Sequence, residues 1–273
     1  MKFIIPTLGR INKQKTFSSI PGKFKNSVIF IVQSHEYEEM CDKFPDNDVL
    51  KLPEEIKTIG PTRQWIFDNF RNDLIFVLDD DLEFTLREPK GELQDESWKQ
   101  SSVQTEEAFK QLLQEVVYDR LDAGNYFGSM MPVWVKPSSA VYPFYHNYRN
   151  MTNCWFYNKN LPDLDFTRVP YAEDFDVTLQ LISKGYSNSV STKWIAICSE
   201  TNSEGGCSVH RTLERHNESQ IELGKLWPDF VTVKDKEVKS GPWKGQIKKS
   251  TRIQFAKAFK KSQIVETVDL DLI

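Results

Sequence analysis

The sequence predicts an α/β protein in which helices flank a mostly parallel sheet. Two runs, Val28–Val32 and 74–78, are uninterrupted apolar segments of strand length, which is typical of strands buried on both faces. Strand patterns alternate with a helical pattern around these runs, as in domains that pack helices on a parallel sheet. With 273 residues and 39% hydrophobic side chains, the chain is long enough for one large domain.

The remaining elements follow in chain order. A strand over 2–5 ends at a proline, a shorter strand covers 48–53, and 61–70 carries a proline at a helix start and apolar residues at helical spacing. The polar stretch 88–104 is predicted to be a loop, and Ser102 or Thr105 caps a helix that runs to about Leu121. A later helix begins near Glu173 and ends near Gly185.

Three consecutive carboxylates, Asp79, Asp80 and Asp81, follow directly after the strand 74–78. Ligands of open α/β sheets bind at the carboxyl ends of such strands. Three neighbouring acids repel one another unless a cation offsets them, and a hard divalent ion with oxygen ligands does this in many proteins. The turn therefore predicts a metal-bound, phosphate-bearing substrate.

Composition narrows the class of protein. A formal net charge of −4 excludes a surface built throughout to coat nucleic acid, although a local basic patch remains compatible with it. The four cysteines form no C-x-x-C pair, so we expect reduced thiols in a cytoplasmic protein without a signal peptide and without a structural zinc site. No apolar stretch approaches the ~20 residues of a membrane span.

Two further motifs each allow a structural and a functional interpretation. Glu173 and Asp174 stand in the first turn of a predicted helix, where the helix dipole alone favours acids; catalysis is the alternative. His210 follows the glycine pair 205–206, and it is either a structural histidine or a ligand recruited by the acidic turn.

The C-terminal part is basic in a chain that is acidic overall. Between 244 and 261 there is no acid, and the basic residues are Lys244, Lys248, Lys249, Arg252, Lys257, Lys260 and Lys261. A solvated helix docked on the core explains them, and so does a contact with phosphates. We expect a main domain over 1–240 and a basic helical extension over 241–273.

The motifs and their order along the chain resemble those of the GT-A glycosyltransferases. More narrowly, the segments 5–10 (IPTLGR), 62–66 (TRQWI), 78–82 (LDDDL) with Phe84 and Arg87, and 173–176 (EDFD) together look like the bacteriophage TET-associated glycosyltransferases. The resemblance covers about residues 1 to 215. It implies a single GT-A domain and an enzyme that decorates hydroxymethylated pyrimidines of phage DNA, as related T-even-like enzymes attach glucose or arabinose to 5-hydroxymethylcytosine.

The resemblance also implies roles for individual residues. The UDP-sugar would be bound by Pro6, Thr7, Arg10, Gln33, Glu36, Arg63, Asp79 and Asp80. Asp81, Asp79 and His210 would hold Mn²⁺ or Mg²⁺, which stabilises the charge that develops on a diphosphate leaving group.

The acceptor hydroxyl must lose a proton, for which a carboxylate is a sufficient base. We expect Asp174 to be that base and Glu173 its helper or a sugar ligand, an arrangement that resembles inverting enzymes. The acceptor would be double-stranded DNA containing a hydroxymethylated pyrimidine, in the host cytoplasm if the protein is phage-encoded, and no obligate protein partner is evident. Its phosphates would be held by Lys244, Lys248, Lys249, Arg252 and Lys257.

Other functions are compatible with parts of this pattern. The acceptor of the same transferase is alternatively a polysaccharide or a lipid-linked sugar, because a basic segment also meets anionic headgroups. A catalytically inactive nucleic-acid-binding module is less favoured, since such a protein has no use for so many carboxylates. The sequence leaves the transferred sugar open, and also the choice among hydroxymethylcytosine, hydroxymethyluracil and an already glycosylated base.

Overall fold

The protein is described by a computed structural model, which covers residues 1–88, 99–133, 145–146, 149–151, 153–198, 206 and 210–270. Its strands are β1 Lys2–Thr7, β2 Val28–Val32, β3 Asp48–Lys51, β4 Ile75–Leu78, β5 Glu83–Glu88, β6 Lys99–Ser102, β7 Phe127–Pro132, β8 Tyr145–His146, β9 Cys154–Tyr157, β10 Ser189–Ile197, β11 Val231–Glu237 and β12 Ile247–Ile253. Its α-helices are α1 Lys15–Ser19, α2 Tyr37–Lys43, α3 Ile59–Asn69, α4 Glu106–Leu113, α5 Asp119–Asp122, α6 Glu173–Ile182, α7 Leu213–Leu226 and α8 Phe255–Leu270.

The first ten of these strands form one mixed sheet in the order β3-β2-β1-β4-β9-β7-β10-β5-β6, with β8 paired to β10. Strands β1, β2, β3, β4, β6, β7 and β10 run in one direction. Strands β5, β8 and β9 run in the opposite direction. The sheet is thus mostly parallel by strand direction, and the predicted α/β fold class is confirmed.

Each central strand divides its side chains between two cores. Ile75 and Val77 of β4 belong to the core that includes residues of α3, α6 and α7. Phe76 and Leu78 point to the opposite core, which includes residues of α2 and α4. This alternation on a strand buried on both sides produces three layers, with helices on each face of the sheet.

Some predicted boundaries differ from the observed ones. Helix α3 begins at Ile59, two residues before Pro61. Thr105 caps α4, and its side chain accepts a hydrogen bond from the Ala108 amide. The stretch predicted as a loop contains β6, an edge strand whose polar sequence KQSS gives no apolar alternation; residues 89–98 of that stretch lie outside the described residues.

The C-terminal part is a hairpin followed by a helix. Strands β11 and β12 pair antiparallel in a separate two-stranded sheet that packs on α7, and α8 begins at Phe255. The segment that carries Lys248, Lys249 and Arg252 is therefore a strand, and the predicted extension is helical only after it. The predicted boundary at 240 lies between β11 and β12, and it stays a prediction.

Two observations complete the fold. Cys41, Cys154 and Cys198 are free thiols, and Cys207 lies outside the described residues. In the described part of the chain, no helix has both the length and the apolar character needed to cross a membrane.

Candidate active site

The acidic turn after β4 is joined to the loop after β1, because these neighbouring parallel strands end at the same edge of the sheet. Asp80 is buried, and its carboxylate accepts hydrogen bonds from the Thr7 hydroxyl and from Arg10 Nη1, both at 2.6 Å. Arg10 Nη1 also lies 3.2 Å from Asp81 Oδ2. Three of the predicted nucleotide-binding residues, Thr7, Arg10 and Asp80, therefore lie together.

Helix α1 fixes the backbone of the same turn. The hydroxyl of Thr16, a fully buried residue, donates to the Asp79 carbonyl and accepts from the Leu82 amide at 2.8 Å. The Thr16 amide donates to the Asp80 carbonyl at 3.2 Å. Gln14, just before this helix, donates from Nε2 to Thr7 Oγ1 at 2.8 Å. The carboxylates consequently project from a turn whose backbone is held on both sides.

Arg63 links the two acidic motifs. From α3 it donates to Asp79 Oδ1 at 3.1 Å and to Glu173 Oε1, at the start of α6. Its guanidinium carbon lies 4.0 Å from the centroid of the buried Trp155 ring, a cation–π contact in a desolvated position. One cation thus joins the turn after β4 to the first turn of α6.

Asp174 lies beside this bridge and is partly exposed. Asn150 Nδ2 donates to its Oδ2 at 3.1 Å. Burial, followed by repulsion from Glu173, raises the pKa of Asp174 to about 6, against the opposing effects of Arg63 and Asn150. A carboxyl group with a pKa near the working pH suits proton transfer, whereas the helix dipole alone would lower its pKa.

Asp79 is also held above its ordinary pKa. Burial raises the pKa of this carboxyl to about 7, Arg63 opposes the rise, and the charges of Asp81 and Asp80 add to it. The arginines of the site therefore do not fully compensate its acids. The turn retains an affinity for additional positive charge.

Glu36 and Gln33 follow β2 at the same edge of the sheet, and both are buried. Glu36 Oε1 accepts a hydrogen bond from the Gly9 amide at 2.7 Å. Its other oxygen is buried without a hydrogen-bond partner, and burial raises the pKa of the group. Pro6 lies one strand away in β1, opposite Ile31. A buried, unsatisfied acceptor beside the predicted nucleotide-binding residues suits an N–H or O–H donor of a ligand.

A cavity of about 340 Å³ opens between the acidic motifs and the C-terminal hairpin. Asp79, Arg63, Glu173 and Asp174 line one side. The other side is formed by α7, by β12 and by Arg211, which lies two residues before α7. Its lining includes Arg211, His216, Gln220, Lys248, Lys249, Ser250 and Thr251. Two predicted catalytic residues and two predicted DNA-binding lysines therefore share one cavity.

The predicted basic set divides into three positions. Lys248 and Lys249 line the cavity, and Lys249 Nζ pairs with Asp235 at 2.7 Å. Lys244 and Arg252 are exposed on the hairpin. Lys257 is exposed on α8, where its Nζ donates to the Asp229 carbonyl at 2.9 Å.

The hydrogen bonds found at His210 are made by its backbone carbonyl. Its carbonyl accepts hydrogen bonds from the Tyr171 hydroxyl at 2.7 Å and from Arg215 Nη1 at 3.0 Å. Among the described residues no three His, Cys, Asp or Glu side chains form a group that could hold a metal ion, so the predicted trio with Asp79 and Asp81 is not assembled. The two carboxylates still fit a divalent cation, because they offer hard oxygen ligands whose mutual repulsion such an ion relieves.

Several residues of the site were missed in the sequence. Thr16 and Gln14 lie in a polar stretch without periodicity, and Asn150 reaches Asp174 from a distant part of the chain. Tyr171 adopts a positive φ of 54°, which no motif signals. Arg211 directly follows His210 and was not among the predicted site residues. Its guanidinium lies over the Tyr171 ring at 5.6 Å.

The fold and the site define an α/β protein with an acidic site at the ends of neighbouring parallel strands, and comparison with known proteins identifies its family. The sequence model of the family described as TET-Associated Glycosyltransferase matches residues 1–206. This match spans most of the 273 residues, so the chain belongs to that family and is a glycosyltransferase.

Individual proteins show weaker likeness. The Beta-glucosyl-HMC-alpha-glucosyl-transferase of Enterobacteria phage T2 is 23% identical over 259 residues, which is 93% of this chain and 90% of that protein. The protein of the same name from phage T6 is 25% identical over 235 residues, with 84% and 82% covered. A structure of glucosyl-3-phosphoglycerate synthase from Mycobacterium tuberculosis, in complex with Mn²⁺, UDP and phosphoglyceric acid, aligns with a TM-score of 0.46 at 10% identity over 93% of this chain and 86% of that chain.

Proposed function

We propose that this glycosyltransferase moves a sugar from a UDP-sugar to the hydroxymethyl group of modified cytosine in DNA, in the cytoplasm of a phage-infected host. The observation that carries the proposal is the shared cavity, in which Asp174 faces the cationic residues Arg211 and Lys248. Asp174, whose carboxyl pKa lies near neutral pH, suits proton transfer from an acceptor hydroxyl. Cations opposite it suit the phosphates that accompany that hydroxyl in DNA.

The transfer step is assigned to Asp174. Its carboxylate takes the proton of the acceptor hydroxyl while the hydroxyl oxygen forms a bond to the anomeric carbon of the sugar. The bond from that carbon to the diphosphate oxygen breaks, and UDP leaves with the electron pair. Glu173 is held by Arg63, so it serves as a helper or sugar ligand and is not free to act as the base.

The donor is assigned to the edge of the sheet near β1 and β2. Thr7, Arg10, Gln33 and Glu36 would hold the nucleotide with Pro6 and Arg63, and the unsatisfied oxygen of Glu36 fits an N–H group of a base. Asp79 and Asp81 would hold Mn²⁺ or Mg²⁺, which neutralises charge on the departing diphosphate.

The acceptor is inferred from chemistry and from relatives. The names of the two phage relatives state action on β-glucosylated hydroxymethylcytosine, so both hydroxymethylcytosine and its glucosylated form are candidate acceptors. The 5-hydroxymethyl group lies in the major groove at the position of the thymine methyl. Lysines and arginines of the C-terminal hairpin and α8 would hold the backbone without reading its sequence.

The proposal is tested by mass spectrometry of nucleosides digested from DNA after incubation with the protein, Mn²⁺ and a mixture of UDP-sugars. The substrates are DNA with hydroxymethylcytosine, with its β-glucosylated form, with hydroxymethyluracil and with unmodified cytosine. We expect a hexose or pentose mass on the hydroxymethylcytosine or the glucosylated nucleoside and none on cytosine.

The Asp174→Asn variant is the matched control. It should lose transfer to DNA while it retains UDP binding, because the amide keeps the shape of the carboxylate and its contact with Asn150 but cannot take a proton. Metal-dependent release of UDP without added mass on any nucleoside would show that the acceptor is another molecule, such as a polysaccharide.

A further inference from the structure

The carboxylates of Glu173 and Asp174 lie between two residues that contact the segment 210–270, which contains α7, the C-terminal hairpin and α8. Tyr171 precedes this acidic pair, and Asp176 follows it in the first turn of α6. Each of the two makes a side-chain hydrogen bond to the segment 210–270. The turn that carries the proposed base is therefore attached on both sides to the opposite wall of the cavity.

Tyr171 forms the first of these two joints. Its hydroxyl donates to the His210 carbonyl at 2.7 Å, and the Arg211 guanidinium lies over its ring at 5.6 Å. Its φ of 54° lies in the left-handed region, which a bulky residue keeps only when the surrounding structure holds it there. Because Tyr171 and Arg211 both line the cavity, this joint fixes the position of one of the cavity's cations.

Asp176 forms the second joint, and its side chain is buried. Its Oδ1 accepts a hydrogen bond at 2.6 Å from Nε1 of Trp227, the residue that follows α7. Its Oδ2 accepts from Gln180 Nε2 at 2.8 Å and lies 3.4 Å from Arg168 Nε. The Arg168 guanidinium lies over the Trp227 ring at 5.4 Å. Each joint thus combines a hydrogen bond with an arginine over an aromatic ring, across the same boundary.

The two joints enclose the group whose position matters for transfer. In the proposed function, the Asp174 carboxylate takes the proton of the acceptor while Arg211 and Lys248 hold its phosphate, so the distance between the two walls has to match the acceptor. Apolar packing between α6 and α8 also connects the walls, but it is non-directional. Hydrogen bonds have a preferred geometry, so the two joints restrict sliding that the apolar contact permits.

We propose that Tyr171 and Asp176 are positioning residues, which fix the distance between the Asp174 carboxylate and the cations of the opposite wall and thereby set the rate of transfer. This inference rests on the proposed function, because it takes Asp174 as the base and the opposite wall as the acceptor site. The hydrogen bonds that join Thr7 and Arg10 to the acidic turn after β4 involve neither residue. Binding of UDP is therefore independent of the two joints.

The test measures transfer to hydroxymethylcytosine DNA by Tyr171→Phe and Trp227→Phe. These variants remove the donor group of one joint each and keep the aromatic ring beside its arginine. The rate constant kcat is expressed per UDP-binding site counted by calorimetry, so unfolded protein does not contribute. Each variant should lower kcat by a factor of about 10–100, the scale expected for a misplacement of about 1 Å, with the Kd for UDP unchanged. Tyr186→Phe removes a hydroxyl after the other end of α6 and should leave kcat unchanged.

Two substitutions of Asp176 separate positioning from folding. Asp176→Asn keeps an oxygen that accepts from Trp227 and should retain most of the kcat per UDP-binding site, whereas Asp176→Ala keeps none and should lose as much as Trp227→Phe. An unchanged kcat per site in Tyr171→Phe or in Trp227→Phe would overturn the inference. So would an equal loss of UDP affinity, because it would mean a general distortion of the site. Absence of transfer to DNA by the wild-type protein would instead overturn the proposed function.

Discussion

The residue with the most directly testable chemistry is Asp174. It is surrounded by groups of both signs: Glu173 repels its charge, Arg63 and the Asn150 amide favour it, the Phe175 amide also donates to it, and burial outweighs these favourable contacts. The result is a carboxyl group with a pKa of about 6. Such a group is ionised at neutral pH and is a stronger base than an ordinary aspartate.

The first prediction concerns the pH dependence of transfer. Because only the ionised carboxylate can accept the proton, kcat/KM should rise with pH through about 6 and level off above it. The rise should be about tenfold per pH unit on the acid side. Initial rates at DNA acceptor concentrations well below KM, measured between about pH 5 and 8, give this profile, and a constant rate over that range would exclude Asp174 as the base.

The second prediction concerns the stability cost of the same residue. The folded-state pKa of Asp174 is raised above the ordinary 3.8, so its protonation stabilises the fold at low pH, and this contribution is lost as pH rises through about 6. At pH 8, Asp174→Asn should therefore raise Tm, by roughly 2–4 °C per kcal/mol gained, and the gain should shrink towards pH 5.

The control for this measurement is Asp46→Asn, which removes the same charge from an exposed position. Its Tm should follow the parent at both pH values. A Tm for Asp174→Asn below that of the parent at pH 8 would mean that the carboxylate stabilises the fold, against the prediction.

At the scale of elements, α1 supports the acidic turn. Thr16 forms hydrogen bonds with three backbone groups of the turn: the Asp79 carbonyl, the Asp80 carbonyl and the Leu82 amide. These contacts orient the backbone from which the carboxylates project. A displacement of this turn would change donor binding before it changed the fold.

The third prediction follows from this support. Thr16→Val keeps the shape of the side chain but leaves the Leu82 amide without its hydroxyl partner, which costs about 1–3 kcal/mol. We expect a lower Tm and weaker UDP binding by calorimetry. Thr16→Ser retains the hydroxyl and should restore most of the UDP affinity; equal losses in both variants would point to packing of the methyl group as the cause.

The elements that the sequence predicted correctly are those with a strong local signal. The strands β1, β2, β3 and β4 and the capped helix α4 follow from apolar runs, helical spacing and Thr105. The edge strand β6 and the hairpin strand β12 are polar or basic, so a pattern of hydrophobicity does not reveal them. Lys248 was expected on a helix for this reason, and it lies on a strand.

The residues of the candidate site also divide into those with a local sequence signal and those without one. The acids of the turn and the pair at 173–174 are visible because like charges adjacent in sequence are unusual in an apolar context. The contacts that make them a site, from Thr16, Asn150 and Arg211, join residues far apart in the chain. Such contacts depend on the path of the backbone, which a single sequence without periodic signals does not define.

At the scale of the whole molecule, charge is segregated across one cavity. The chain carries a net charge of −4, and its acids meet at the sheet edge while Lys248 and Lys249 of β12 and Arg211, two residues before α7, face them. On β12, Lys248 and Arg252 lie four positions apart, an even spacing that puts both on the same face of the strand. An acidic protein can bind DNA when its cations are concentrated in this way.

The fourth prediction measures how many of these cations contact phosphates. Each contact with duplex DNA contributes about 0.9 to the slope of the logarithm of affinity against the logarithm of salt concentration. Lys248→Gln and Arg252→Gln should each lower the slope by about that amount, measured by fluorescence anisotropy with a modified duplex. Lys261→Gln should leave it unchanged, because Lys261 is paired with Asp229 at 2.7 Å.

Since the slope counts ions released and not total affinity, it separates a phosphate contact from a loss of folding, which would weaken binding at every salt concentration alike. Unchanged slopes for both hairpin variants would mean that the basic face of β12 meets no phosphate, and the acceptor side of the cavity would then have to be assigned to another part of the chain.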